Sequence, residues 1–214
     1  NMPRPSSVAK VTGTWDFGAD SALRLPDDVL HLALVQAEVS HANILSVDTS
    51  EAVKMPGVVK VVTAKDVKGK NRITGLITFP SNLGDGWDRP ILCDEKVFQY
   101  GDAIAIVCAD TDKHAKAAAA KVKVELEELP AYMSAPAAME PDAIEIHPGT
   151  PNVYYIQKIA KGDDTGPIFA KADMVFEGDY YTSRQPHMPI EPDVGYAYYN
   201  TEGKLVVHSK SIGL

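Results

Sequence analysis

The spacing of hydrophobic and polar positions changes several times along the chain, and each change predicts an element. From Val29, "VLHLALVQAEVS" is an apolar and β-branched run suited to one buried strand, and "ANILSVD" follows as a second. "DTSEAVKMPG" offers Asp48 and Thr49 as N-caps, Glu51 as a capping-box partner and Pro56-Gly57 as a stop, which predicts a short helix. "VVKVVT" at 58–63 reads as a strand by its valines, and "TAKDVKG" as a helical turn between Thr63 and Gly69. "DAIAIVCAD" at 102–110 is the most buried-looking strand. "TDKHAKAAAAKV" is the clearest helix, with Thr111 as its cap and Ala117 to Ala120 at maximal helix propensity. "KVELEELP" alternates apolar and acidic residues as a strand with one wet face does, and Pro130 ends it.

Between and beyond these elements the pattern loosens. Residues 69–90 carry Gly, Asn, Asp and Pro with no sustained period and are predicted to form a long loop, of a length that is usually functional or packed against something. From Ala131 to about Gly166 the composition shifts to Ala, Pro, Gly and Asp, as in a linker wrapping over a surface. "ADMVFEGDYYTSR" then predicts a strand, and "DVGYAYYNTEGKLVVHSK" a hairpin around "NTEG". Strands and helices alternate before the linker and only strands follow it, so the fold class is α+β (mixed α/β). The last strand has nothing after it to cover its face, which predicts a chain that stops within a domain.

Charge and cysteine usage narrow the function. The formal net charge of −8 and the lack of any basic cluster longer than "KDVKGKNR" argue against nucleic acid as a partner. No apolar window reaches the roughly 20 residues that span a bilayer, and "NMPRPSSVAKVTG" has no apolar core, so no membrane partner and a cytoplasmic location are expected. Cys93 and Cys108 lie 15 positions apart in strand-like surroundings with no zinc or iron–sulfur spacing. Both are expected to be reduced and buried.

Candidate chemistry is sparse. "NLGDGWD" at 82–88 lacks the spacing and the final Glu of a calcium loop, and a surface turn accounts for it. His41, in "SHAN", has no nucleophile or carboxylate beside it in sequence, and hydrogen bonding in a turn is its default role. "RQPHMPIEPD" at 184–193 remains. Pro186, Pro189 and Pro192 exclude a helix. In an extended chain His187 and Glu191 are roughly 13 Å apart, too far to share one ion, while Gln185, His187 and Glu191 fall on one face. The segment is either a strap with a functional or interface face, or purely structural.

Taken together, "KVTGTWDFGAD", residues 30–67, "PILCDEKVFQYGDAIAIVCAD", "KVELEELPA" and "RQPHMPIEPD" resemble the molybdenum hydroxylases of the xanthine oxidase family, within it the aldehyde-oxidising branch of sulfate-reducing bacteria. The resemblance runs from about Val8 to the end. It implies a lead-in at 1–25, the aldehyde oxidase/xanthine dehydrogenase α/β hammerhead domain at 26–130, a linker at 131–166, and the strand-rich start of the first molybdopterin-binding domain at 167–214. It implies a parent enzyme that hydroxylates aldehydes to carboxylic acids with oxygen from water. That parent would use molybdopterin cytosine dinucleotide and 2Fe–2S clusters bound by other domains, the partners of this segment, and a homodimer is compatible with it. No catalytic, cofactor-binding or metal residue is expected within 1–214, the segment alone is expected to be inactive, and Gln185, His187 and Glu191 match a Q-x-H-x-x-x-E pattern as candidate domain-interface or second-layer residues. The rival reading is a non-catalytic binding or scaffold module.

Overall fold

The computed structural model describes residues 4–73, 90–153, 156, 158–189 and 191–210. Their elements run α1 (Ser7–Val11), α2 (Gly18–Ala22), β1 (His31–Gln36), β2 (Ala42–Asp48), β3 (Val58–Thr63), β4 (Lys96–Val97), β5 (Ala103–Ala109), α3 (Asp112–Ala119), β6 (Lys123–Glu128), α4 (Ala135–Ala138), α5 (Gly166–Phe169), β7 (Val194–Tyr199) and β8 (Leu205–Lys210). The chain divides into two compact units, Pro26–Tyr155 and Asn1–Leu25 with Ile156–Leu214.

Unit Pro26–Tyr155 holds two three-stranded antiparallel sheets, ordered β1-β5-β3 and β4-β2-β6. Strand β5 is central, its residues small or β-branched, and Ile104 is buried as well as the residues of the opposite face. Ala105, Val107 and Ala109 face one way and are fully buried, whereas Ile106 and Cys108 face the other and are only half-buried. Helix α3 lies over the first face through Ala115 and Ala118, which have no exposed surface. Alanine on both sides lets helix and sheet approach closely. Thr111 caps the helix by accepting from the His114 amide at 3.2 Å, as its sequence predicts. A second core joins Ala37, Ala42, Cys93, Val97 and Ile104 to Ile44, Val47, Val124 and Leu126 from β2 and β6. The outer face of β6 is polar: Glu125 and Glu127 accept from Ser46 and Asn43 of β2.

Three expectations need correction. The helix expected at 48–57 shrinks to a 3-10 turn at Ala52–Lys54, since Pro56 supplies no amide and Gly57 turns the chain at φ +77°. Glu51 does not close a capping box there; its carboxylate pairs with Lys123 instead. The strand expected at 172–184 is absent: these residues are irregular and exposed, because a strand forms only against a ladder partner and none of the described residues supplies one. Cys108 is half-buried, not buried, because β5 alternation points it away from α3.

Residues 131–153 fall in the same compact unit as 26–130 and are organised by side chains. Tyr132 Oη accepts from the Ile144 amide at 2.8 Å. Asn152 accepts from the Ile146 amide at 2.9 Å and donates to the carbonyls of Ala138 and Ile144 at 2.9 and 3.0 Å. Most of the loop expected at 69–90 lies outside the described residues. At its base, Asn71 pairs with both backbone groups of Leu92, and Arg72 grips Asp94 with two nitrogens.

In the other unit β7 and β8 form the expected hairpin. Asn200 Oδ1 accepts from the amides of Glu202 and Lys204, and Gly203 takes φ +73°. One face stacks Tyr196 on His208 at 4.6 Å between ring centroids, with Tyr198 at 5.8 Å.

Two predictions follow from this packing. Gly57 combines its positive φ with a position where a Cβ meets the Asp110 carboxylate and the His114 ring, whereas Gly203 has open space. Gly57→Ala is expected to destabilise by about 1–3 kcal/mol, more than Gly203→Ala, in denaturant melts. Desolvation, with Asp102 next, pushes the Cys93 thiol up to about 12, and burial also raises Cys108. In the native protein Cys108 is therefore expected to react with a thiol reagent before Cys93, and equal rates would contradict the packing.

Candidate functional site

The proline-rich strap is irregular throughout its described residues and contains no helix, as the three prolines require. It is not one straight extended segment. Met188 has φ +40°, a left-handed conformation in a non-glycine residue, and it falls between His187 and Glu191. The pleat that aligns Gln185 with His187 is interrupted before it reaches Glu191, so the three do not form a single straight row. Gln185 and His187 are exposed, and Glu191 is half-buried.

Glu191 has a partner inside this chain. Its Oε1 accepts the Gly18 amide at 2.6 Å, across 173 residues of sequence. Gly18 opens α2, where the first amides have no intrahelical acceptor. Phe17, in the N-cap position, has no side-chain oxygen to offer, and two carboxylates supply the acceptors instead: Asp20 takes the Phe17 amide at 2.9 Å and Glu191 takes Gly18. Negative charge is favourable at this end of a helix. Sequence reasoning missed the contact because nothing local ties position 18 to position 191. The lack of a polar N-cap before Gly18 was the one available signal.

His41, left as a turn residue, is buried in unit Pro26–Tyr155. Its Nδ1–H donates to the Pro130 carbonyl at 2.6 Å. Desolvation holds its pKa below the usual histidine value, the Pro130 bond opposes this, and the Lys96 charge adds to the lowering. Lys96 is buried too, and donates to the carbonyls of Ile146 at 2.8 Å and Glu145 at 3.3 Å. Its ammonium lies 5.8 Å from the Phe98 ring centroid, and Phe98 stacks on His147 at 4.6 Å. Burial lowers the Lys96 pKa and the Glu145 charge raises it. The hydrogen-bond acceptors of these two side chains are main-chain carbonyls.

Among the described residues no group of three or more His, Cys, Asp or Glu side chains is placed to hold a metal ion, and no helix is long and apolar enough to cross a membrane. Residues 82–88 lie outside the described residues.

Residues 19–130 match the aldehyde oxidase and xanthine dehydrogenase a/b hammerhead domain model. The chain belongs to that family. Residues 146–214 match the molybdopterin cofactor-binding domain model. Among curated relatives, the aldehyde oxidoreductase of Megalodesulfovibrio gigas is 72% identical over 99% of this chain and 23% of its own length. The nicotinate dehydrogenase large molybdopterin subunit of Eubacterium barkeri is 37% identical over 97% of this chain and 45% of its own. The crystal structure of the aldehyde oxidoreductase from Desulfovibrio desulfuricans superposes with a TM-score of 0.91 at 70% identity, covering 99% of this chain and 23% of that one. The chain thus spans less than half the length of these relatives.

The hammerhead match contains both sheets, and the cofactor-domain match contains the strap and the β7–β8 hairpin. The Glu191–Gly18 bond consequently ties the lead-in, ahead of the hammerhead match, to the cofactor-domain portion. Glu191→Ala removes the acceptor and is expected to cost about 1 kcal/mol, in the range of a lost helix cap, with α2 amides exchanging faster. Glu191→Gln keeps an oxygen and is expected to cost less. Unchanged exchange at Gly18 in the alanine variant would contradict the bond.

Proposed function

We propose that this chain is the hammerhead and opening cofactor-domain portion of a molybdenum-dependent aldehyde oxidoreductase, an enzyme that hydroxylates aldehydes to carboxylic acids with oxygen drawn from water. The single observation that carries the reading is 72% identity to the Megalodesulfovibrio gigas aldehyde oxidoreductase along 99% of the chain. The match at 146–214 supports a molybdopterin cofactor in the parent protein. Molybdenum would supply the redox chemistry when bound. On this reading its ligands come from the remaining domains of the parent.

On this reading the chain contributes framework. The hammerhead supplies a rigid two-sheet body. The strap presents Gln185 and His187 to the remaining domains of the parent, while Glu191 fixes it from behind. We place the cytosine dinucleotide form of the cofactor and the 2Fe–2S clusters in those remaining domains, and propose a cytoplasmic parent that forms a homodimer. The domain boundaries follow the same division, with a lead-in to 25, the hammerhead to 130, a connecting stretch to about 166 and the opening of the cofactor domain beyond it.

Elemental analysis and turnover of the complete parent protein test the reading. Molybdenum and iron near stoichiometric amounts, with aldehyde oxidised against a dye acceptor, are expected. The 214-residue chain alone is expected to show neither. A parent protein that folds, carries molybdopterin and leaves aldehydes untouched would overturn the substrate assignment, and one without bound metal would favour a binding module.

A further inference from the structure

The two matched regions are joined by residues 131–145, and two buried basic side chains hold this connection at its ends through main-chain oxygens. The hammerhead match ends at Pro130, whose carbonyl accepts His41 Nδ1–H at 2.6 Å. The cofactor-domain match begins at Ile146, whose carbonyl accepts Lys96 Nζ at 2.8 Å. His41 is 4% exposed and Lys96 9%. Between the two tethers the connection closes on itself through Tyr132 and Asn152. All of these groups lie in unit Pro26–Tyr155.

The tethers differ in chemistry. Lys96 holds its carbonyls with an ammonium, and the Glu145 carboxylate acts on that charge from the connection itself. His41 needs only one N–H and serves in its neutral form. Its Nε2 is buried with no hydrogen-bond partner among the described residues. A proton there creates an N–H without an acceptor and a second buried cation beside Lys96. Other titratable groups on the surrounding elements leave Nε2 unpartnered. Glu127 and Glu128 on β6 lie opposite Asn43 and Ala42, and Glu127 is engaged by Asn43. Glu38 lies in the turn that carries His41, Glu95 precedes β4, Asp102 accepts the Phe98 and Gln99 amides, and His147 stacks on Phe98.

We propose that His41 and Lys96 form an acid-sensitive clamp on the connection between the hammerhead and the cofactor-binding domain, closed while His41 is neutral and loosened when it takes up a proton. The sign follows from linkage. Histidine in an open chain titrates near 6.5, and burial holds His41 below its usual value, so the open form binds the proton more readily. The clamp is at full strength above about pH 6.5 and weakens as pH falls from there toward the lowered folded value, by at most tenfold per pH unit.

Hydrogen exchange on the whole chain, with protection factors corrected for intrinsic pH dependence, reads the clamp directly at residues 131–147. Protection is expected to fall between pH 7.5 and 5, by no more than about tenfold for each pH unit below about 6.5, while the amides of β5 keep theirs. His41→Gln, which retains an N–H for Pro130 but cannot take up the proton, is expected to flatten this dependence. The His41 ring proton signals in the unaltered chain are expected to titrate below 6.5. A His41 that titrates at 6.5 or above, or protection at 131–147 that stays constant with pH, overturns the proposal even if the glutamine variant fails to fold. A folded His41→Gln chain with the unaltered pH dependence overturns it equally.

Discussion

The burial of β5 is the interaction on which the larger unit depends. Its seven residues pair with β1 on one side and β3 on the other, and its side chains enter every core cluster of that unit: Ile104 between the sheets, Ala105 and Val107 under α3, Ala109 at the end of the helix. Full burial of a side chain the size of Ile104 contributes about 1.5–3 kcal/mol, and on β5 such contributions belong to both cores at once. A polar or bulkier residue on this strand would disturb helix packing and sheet packing together.

The small residues of β5 and α3 set the geometry around it. With alanine at 105, 109, 115 and 118, all without exposed surface, the helix rests on the sheet with little side chain between them. The opposite face of the same sheet carries larger residues left open, with Leu32 66% and Leu34 53% exposed beside the half-buried Ile106 and Cys108. A sheet face turned to water alone normally alternates to polar residues.

Main-chain polar groups are the second organising element. Outside the sheets, polar side chains grip backbone at three places: Asn71 at Leu92, His41, Lys96, Tyr132 and Asn152 along the connection after Pro130, and Glu191 at the start of α2. Buried backbone groups outside ladders need such partners. The net charge of −8 does not describe these sites, since in unit Pro26–Tyr155 a buried lysine and a buried neutral histidine hold the connection in place.

Local chemistry made much of the fold legible in advance. Strands β2, β3, β5 and β6, helix α3 with its Thr111 cap and the β7–β8 hairpin follow from periodicity, β-branching and turn residues, because those signals act over a few neighbouring positions. The family resemblance was legible too, since several blocks had to occur in order. Contacts distant in sequence were decided by tertiary structure alone. Glu191 meets Gly18 across 173 residues and His41 meets Pro130 across 89, and no pattern near either residue encodes its partner. The segment 172–184 shows the same limit from the other side. Its alternation is that of a strand, but a strand takes its hydrogen bonds from another part of a chain, so sequence specifies the preference and only a partner's edge realises it.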